Sequence, residues 1–220
     1  MNAGGSVDLS LTERPQVLIV GGILTVVLYC VFTFTSWALY PGAYWPTENY
    51  LSRLGDFLYS PFGAYFYNAG CILTGLALFP FFLGLRFWQG DDMVGRIVLI
   101  LGQLLGLCAA VALVMIGVFS EDTGSPHMTA SATFFLLNFI VLVLVNVALL
   151  ANPCFPRWIA VYGIVIDLFS LSLALTIGGP ITEWITVFGS LLFVALTSIH
   201  THQYSKAALK REVSANGGVS

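Results

Sequence analysis

The 220 residues are 58% hydrophobic and only 9% charged, with a mean hydropathy of +0.90 and a formal net charge of −3. A water-soluble domain carries about 25% charged residues, so this composition excludes one and makes lipid the solvent for most of the chain. The acidic balance leaves no basic surface, which excludes nucleic acid as a partner.

Residues 1–16 are polar and read as a cytoplasmic leader, with Gly4-Gly5 and Thr12-Glu13-Arg14-Pro15. The apolar run behind them is too long for a signal-peptide core, and no small-x-small cleavage pattern follows. Six apolar runs then cover about 17–40, 62–85, 97–119, 128–151, 158–177 and 181–202. Each is close to the ~20 residues that a helix needs to cross the hydrocarbon core. Only helices satisfy every backbone N–H and C=O within one such segment, and the alternation of a membrane β-barrel is absent. The expected fold is all-α: a polytopic integral membrane bundle of six transmembrane helices over 17–204. A structured outer loop joins helices 1 and 2, and a cytoplasmic tail over 205–220 is expected to fray.

Orientation follows from the basic residues. Arg14, Arg86, Arg96, Arg157, Lys206, Lys210 and Arg211 fall on one side of a six-span chain, and Arg53 alone on the other. Basic residues stay in the cytoplasm, so the sequence predicts a multi-pass protein of the cell membrane with both termini inside. Glu48, Asp56, Glu121, Asp122 and Glu183 then gather on the outer face. Trp37, Tyr40, Tyr44, Trp45 and Trp184 fit an aromatic belt there.

The loop of residues 40–68 concentrates polar groups between two apolar runs. Arg53 and Asp56 stand three apart, a spacing that suits a helical ion pair ordering the loop, or a cation that meets a lipid headgroup. Ser60-Pro61 and Ser125-Pro126 read as helix starts, with Ser as cap and Pro as first helical residue. Glu121, Asp122 and His127 then bring two carboxylates and an imidazole to one helix mouth. With Asp56 they are the candidate catalytic set, either for general acid–base work or as ligands of a divalent metal that activates water. Their spacing matches no recognised zinc motif. Arg53, Glu48, Asn49, Asn68 and Glu183 are the candidate substrate-binding residues.

Asp167 falls near the middle of run five, where an acid is expensive and functional by default, or a polar clamp between helices. Gln103 and Asn138 share its depth range. Gly102 and Gly106 form a Gly-x-x-x-Gly in run three, which suits close packing within the chain or an oligomer face. Cys30, Cys71, Cys108 and Cys154 are scattered and read as unpaired packing residues. His200 and His202 read as interfacial anchors beside Lys206.

Asn49-Tyr-Leu-Ser-Arg-Leu-Gly-Asp56, Phe66-Tyr-Asn-Ala-Gly70 and the Ser125-Pro-His127 entry to span four carry a resemblance. Together they resemble the archaeal and bacterial membrane proteins grouped as "domain of unknown function 998". The resemblance implies six spans and leaves activity open. Three functions compete on the residues alone. One is a membrane-embedded hydrolase or transferase acting on a lipid-like substrate at the outer face. Another is a cation- or proton-coupled transporter or channel running past Asp167. The third is a structural or assembly protein.

Overall fold

The computed structural model describes residues 14–217; most of the expected leader, and the last residues of the tail, lie outside them. Six long helices follow one another: α1 (Pro15–Ala38), α2 (Gly63–Gly84), α3 (Met93–Val118), α4 (Ser125–Ala151), α5 (Arg157–Thr176) and α6 (Pro180–Gly217). Short 3-10 turns sit at Leu51–Gly55, Leu85–Trp88 and Glu121–Thr123, and no strand occurs among the described residues. All six helices are long and apolar enough to cross a bilayer, so this is a multi-pass membrane protein.

Each helix packs on the next, and α6 returns to α1, so the six close into a ring. Short connections make neighbours antiparallel. The loop of residues 39–62 covers one end, the lid end; the α2–α3 and α4–α5 connections mark the far end. The α1–α2 pair approaches closely because glycine permits it: a Cβ on Gly84 would stand 2.6 Å from the Cα of Leu18. Gly102 lies against Val145 of α4 and Gly106 against Phe82 of α2. Both glycines are therefore packed within the chain, the first of the two readings of this motif.

Helix starts differ in detail from the sequence reading. Ser60 does not cap α2. It is buried in a turn whose N–H reaches the Asp56 carbonyl at 2.8 Å, and the helix begins at Gly63. At α4, Ser125 is already helical and the cap is Gly124, at φ 73°, where a residue without Cβ is favoured. The tail also differs: α6 runs on to Gly217 instead of fraying after Lys206. Ala207, Ala208, Leu209, Lys210 and Arg211 are strong helix formers, so the helix propagates past its apolar part.

The far end is closed by aromatic packing. Trp88 is 2% exposed, and its ring lies 5.0 Å from Phe155, 5.1 Å from Tyr204 and 5.5 Å, stacked, from His200. Its indole N–H donates to Thr201 Oγ1 at 2.9 Å, and its carbonyl accepts from Asn152 Nδ2 at 2.7 Å. His200 is thus part of this plug. All four cysteines are free.

Candidate functional site

The lid is pinned by side chains that reach its backbone. Ser36 Oγ of α1 donates to the Leu54 carbonyl at 3.1 Å, and Asn68 Nδ2 of α2 donates to the Gly55 carbonyl at 2.9 Å. Two neighbouring residues at the start of α6 hold the other side. Glu183 Oε2 accepts from the Ser52 N–H at 3.3 Å, and the Trp184 indole donates to the Asn49 carbonyl at 3.3 Å. Trp184 is itself fixed by stacking on Phe188, at 5.4 Å and 7°, and by Trp37 at 5.2 Å. Tyr44, buried under the lid, donates to the Tyr50 carbonyl at 2.8 Å.

Arg53 does not pair with Asp56. Its guanidinium lies over the Tyr59 ring at 4.1 Å, and its Nε stands 3.4 Å from Glu121 Oε1, joining the lid to the α3–α4 loop. Asp56 is buried and folds the lid locally, accepting from the Leu58 N–H at 2.8 Å. Burial pushes the Glu121 carboxyl upward, and the Arg53 guanidinium works against that shift.

His127 is buried at the first turn of α4, and its Nδ1 stands 2.7 Å from the Phe119 carbonyl. A carbonyl only accepts, so Nδ1 carries the hydrogen and Nε2 keeps its lone pair in the neutral ring.

Beneath the lid the ring encloses a narrow cavity, with about 90 Å³ open to the centre of a water molecule. Its walls come from α1, α2, α3, α4 and α6, and are mostly apolar. Ser52, His127 and Glu183 stand at its lid end, and Thr186, Ser190 and Asn138 below them. On α4 the lining runs from His127 to Val145, about 27 Å at ~1.5 Å per residue. That is most of the ~30 Å hydrocarbon thickness.

The other candidates are dispersed. Glu48 and Asp122 are exposed. Gln103 satisfies the Phe82 and Leu83 carbonyls at the end of α2, at 2.7 and 3.2 Å. Asn138 donates to Ser190 Oγ at 3.2 Å. Asp167 is buried on α5, which contributes no residue to the cavity wall. Among the described residues no three of His, Cys, Asp and Glu gather closely enough to hold a metal ion.

Sequence reasoning passed over Ser52, Ser131, Thr186 and Ser190, all on the cavity wall. The signal was a polar stripe at helical spacing: His127, Ser131 and Asn138 on α4, and Thr182, Thr186 and Ser190 on α6.

A family model described as "Protein of unknown function (DUF998)" matches residues 23–201. The chain belongs to this family. The matched stretch of this DUF998 protein includes the lid, the whole cavity lining and Asp167. No curated protein and no solved structure matches the chain.

Proposed function

We propose that this DUF998 protein is a membrane-embedded hydrolase or transferase. It draws the apolar part of a lipid-like molecule into the central cavity and acts on the polar end beneath the lid. The observation that carries the reading is an apolar-walled cavity at membrane depth, with Glu183 bonded to Ser52 at its lid end and His127, at the start of α4, on the same wall. Apolar walls with a few convergent polar groups are the usual form of a small-molecule site.

In this reading His127 is the general base. The Phe119 carbonyl fixes its tautomer, so Nε2 takes the proton of an attacking water or acceptor hydroxyl. Glu183 keeps one oxygen on the lid backbone and offers the other to the substrate or to the imidazolium that forms. Glu48, Asp56, Glu121, Asp122 and Glu183 face Arg53 alone around this end. That balance favours an uncharged or cationic polar end over a bare phosphate. The lid faces away from the cytoplasm, as the distribution of basic residues supports.

The test starts with protein extracted in native-lipid discs. Co-purifying lipids are identified by mass spectrometry, and a total lipid extract is assayed for conversion. His127→Ala is expected to lower turnover by a factor of about 100 or more, and Glu183→Gln to lower it as well, while Glu48→Gln leaves it unchanged. Equal turnover in wild type and His127→Ala would end the enzyme reading. For orientation, a cysteine at Gly42 should label from outside sealed cells and one at Lys210 should not; the reverse pattern inverts the topology.

A further inference from the structure

The cavity beneath the lid ends blind, and each of its five walls shows why. On α2 the lining stops at Leu85, and the buried plug residue Trp88 follows one turn on. On α4 it stops at Val145, which packs on Gly102, and Leu149 one turn deeper is fully buried. On α6 it stops at Val194, and Thr197, Ser198 and Thr201 beyond it are fully buried. On α1 it stops at Thr25, and Gly22 next to it lies against Ser198 of α6. On α3 it stops at Ala109, because the Phe82 ring presses on Gly106.

The floor is also dry. The deep wall consists of Phe81, Phe82, Leu85, Val145 and Val194, and the hydroxyl beside them, on Thr25, already donates to the Gly21 carbonyl at 2.8 Å. A space lined in this way offers water no partners and holds apolar matter instead. The polar groups Ser52 and Glu183 stand at the opposite end, so the cavity has a polar mouth and an apolar, closed floor.

Its bore follows from its volume and its length. The 90 Å³ open to the centre of a water molecule, spread over about 27 Å of α4, has a mean section of about 3 Å². Adding a water radius of ~1.4 Å gives a bore about 5 Å across. Non-bonded carbons sit about 3.5–4.0 Å apart, so one hydrocarbon chain fills this bore and two do not enter side by side.

We propose that the cavity takes the one chain of a single-chain amphiphile with an uncharged head, of the monoacylglycerol class, and that Leu85, Phe82, Val145 and Val194 set the longest chain accepted. The inference rests on the proposed function for the direction of the molecule, head beneath the lid and tail inward, and not on any chemistry at His127. A chain that stops short of the floor keeps all its methylenes in the apolar bore. A longer one leaves the surplus at the polar mouth, which lowers retention by about fourfold per methylene.

The test uses the full chain held in amphipol and loaded with an equimolar mixture of 1-monoacylglycerols of even chain length. Excess lipid is removed by gel filtration, and bound lipid is counted by mass spectrometry. Wild type should retain every length up to a limit and lose about fourfold per methylene beyond it. His127→Ala should show the same limit. Leu85→Ala deepens the floor, so a chain two methylenes past the wild-type limit should gain about fifteenfold. Ala109→Leu narrows the bore partway down and should move the limit to shorter chains. Diacylglycerols added to the mixture should not be retained. Retention without a length limit overturns the assignment and leaves the enzyme reading standing. So does diacylglycerol bound as well as monoacylglycerol, or a limit unmoved in either variant that still unfolds cooperatively. A limit that moves as stated, with equal turnover in wild type and His127→Ala, keeps the assignment and removes the enzyme. Retention of no lipid of any length overturns both.

Discussion

At the lid end, a loop of chain lies across the helices and is held by single hydrogen bonds from Ser36, Asn68, Glu183 and Trp184 to its backbone. At the far end, Trp88 fills the space between helices and touches Phe155, His200 and Tyr204 ring to ring. The two closures differ in what water can do to them. The Ser36 and Asn68 bonds are buried, whereas the Glu183 and Trp184 bonds are only partly so and can exchange for bonds to water at a net cost of about 1 kcal/mol each. A buried aromatic cluster has no such substitute and stays shut. Of the two closures, the one beside Ser52, His127 and Glu183 is therefore the easier to open, and it is the entrance that the proposed function requires.

That contrast can be broken most forcefully at the far end. Trp88→Ala should cost about 3–5 kcal/mol, seen as a fall of about 10 °C in the unfolding midpoint. A change of only a degree or two would mean that the plug is not what closes this end. Next comes Asn68→Ala, which leaves the buried Gly55 carbonyl without a donor. A loss of about 1–3 kcal/mol is expected, with faster protease cleavage confined to residues 40–62. Cleavage at the wild-type rate would show that Asn68 does not hold the lid.

A smaller effect is expected from the bond between the lid and the α3–α4 loop. The Arg53 and Glu121 side chains are 29% and 21% exposed, so a double-mutant cycle with Arg53→Gln and Glu121→Gln should return about 0.2–1 kcal/mol of coupling. Zero coupling would leave the lid tied down by α1, α2 and α6 only.

The smallest effect is on pH dependence. Burial raises the Glu121 carboxyl above its ordinary value of 4.5, with Arg53 opposing. The folded protein then holds that proton more tightly than the unfolded chain does. The resulting stability is present below pH 4.5 and is lost as pH rises through the higher folded value. Glu121→Gln should flatten this part of the midpoint-against-pH curve. An unchanged slope would assign it to other groups.

Several features of the site escaped the sequence for a common reason. Arg53 and Asp56 share a three-residue spacing, yet the loop forms a 3-10 turn only over Leu51–Gly55, and the guanidinium meets Glu121 instead. Glu121, Asp122 and His127 lie within seven residues, yet Asp122 is exposed and His127 binds the Phe119 carbonyl. Proximity along the chain said little about which side chains meet. Gly102 and Gly106 were legible as packing residues, but only their neighbours Val145 and Phe82 show that the packing is internal.

The residues alone determined the medium, the helical class and the number of spans. Those depend on local sums: about twenty apolar residues in a row have one economical conformation in lipid whatever surrounds them. Tertiary structure alone decided that Glu183 meets Ser52 across 131 residues, and that α5 stands outside the cavity wall with Asp167 buried. Such pairings depend on how α6 closes the ring onto α1, and hydropathy, summed along one segment at a time, carries no information about which faces turn toward one another.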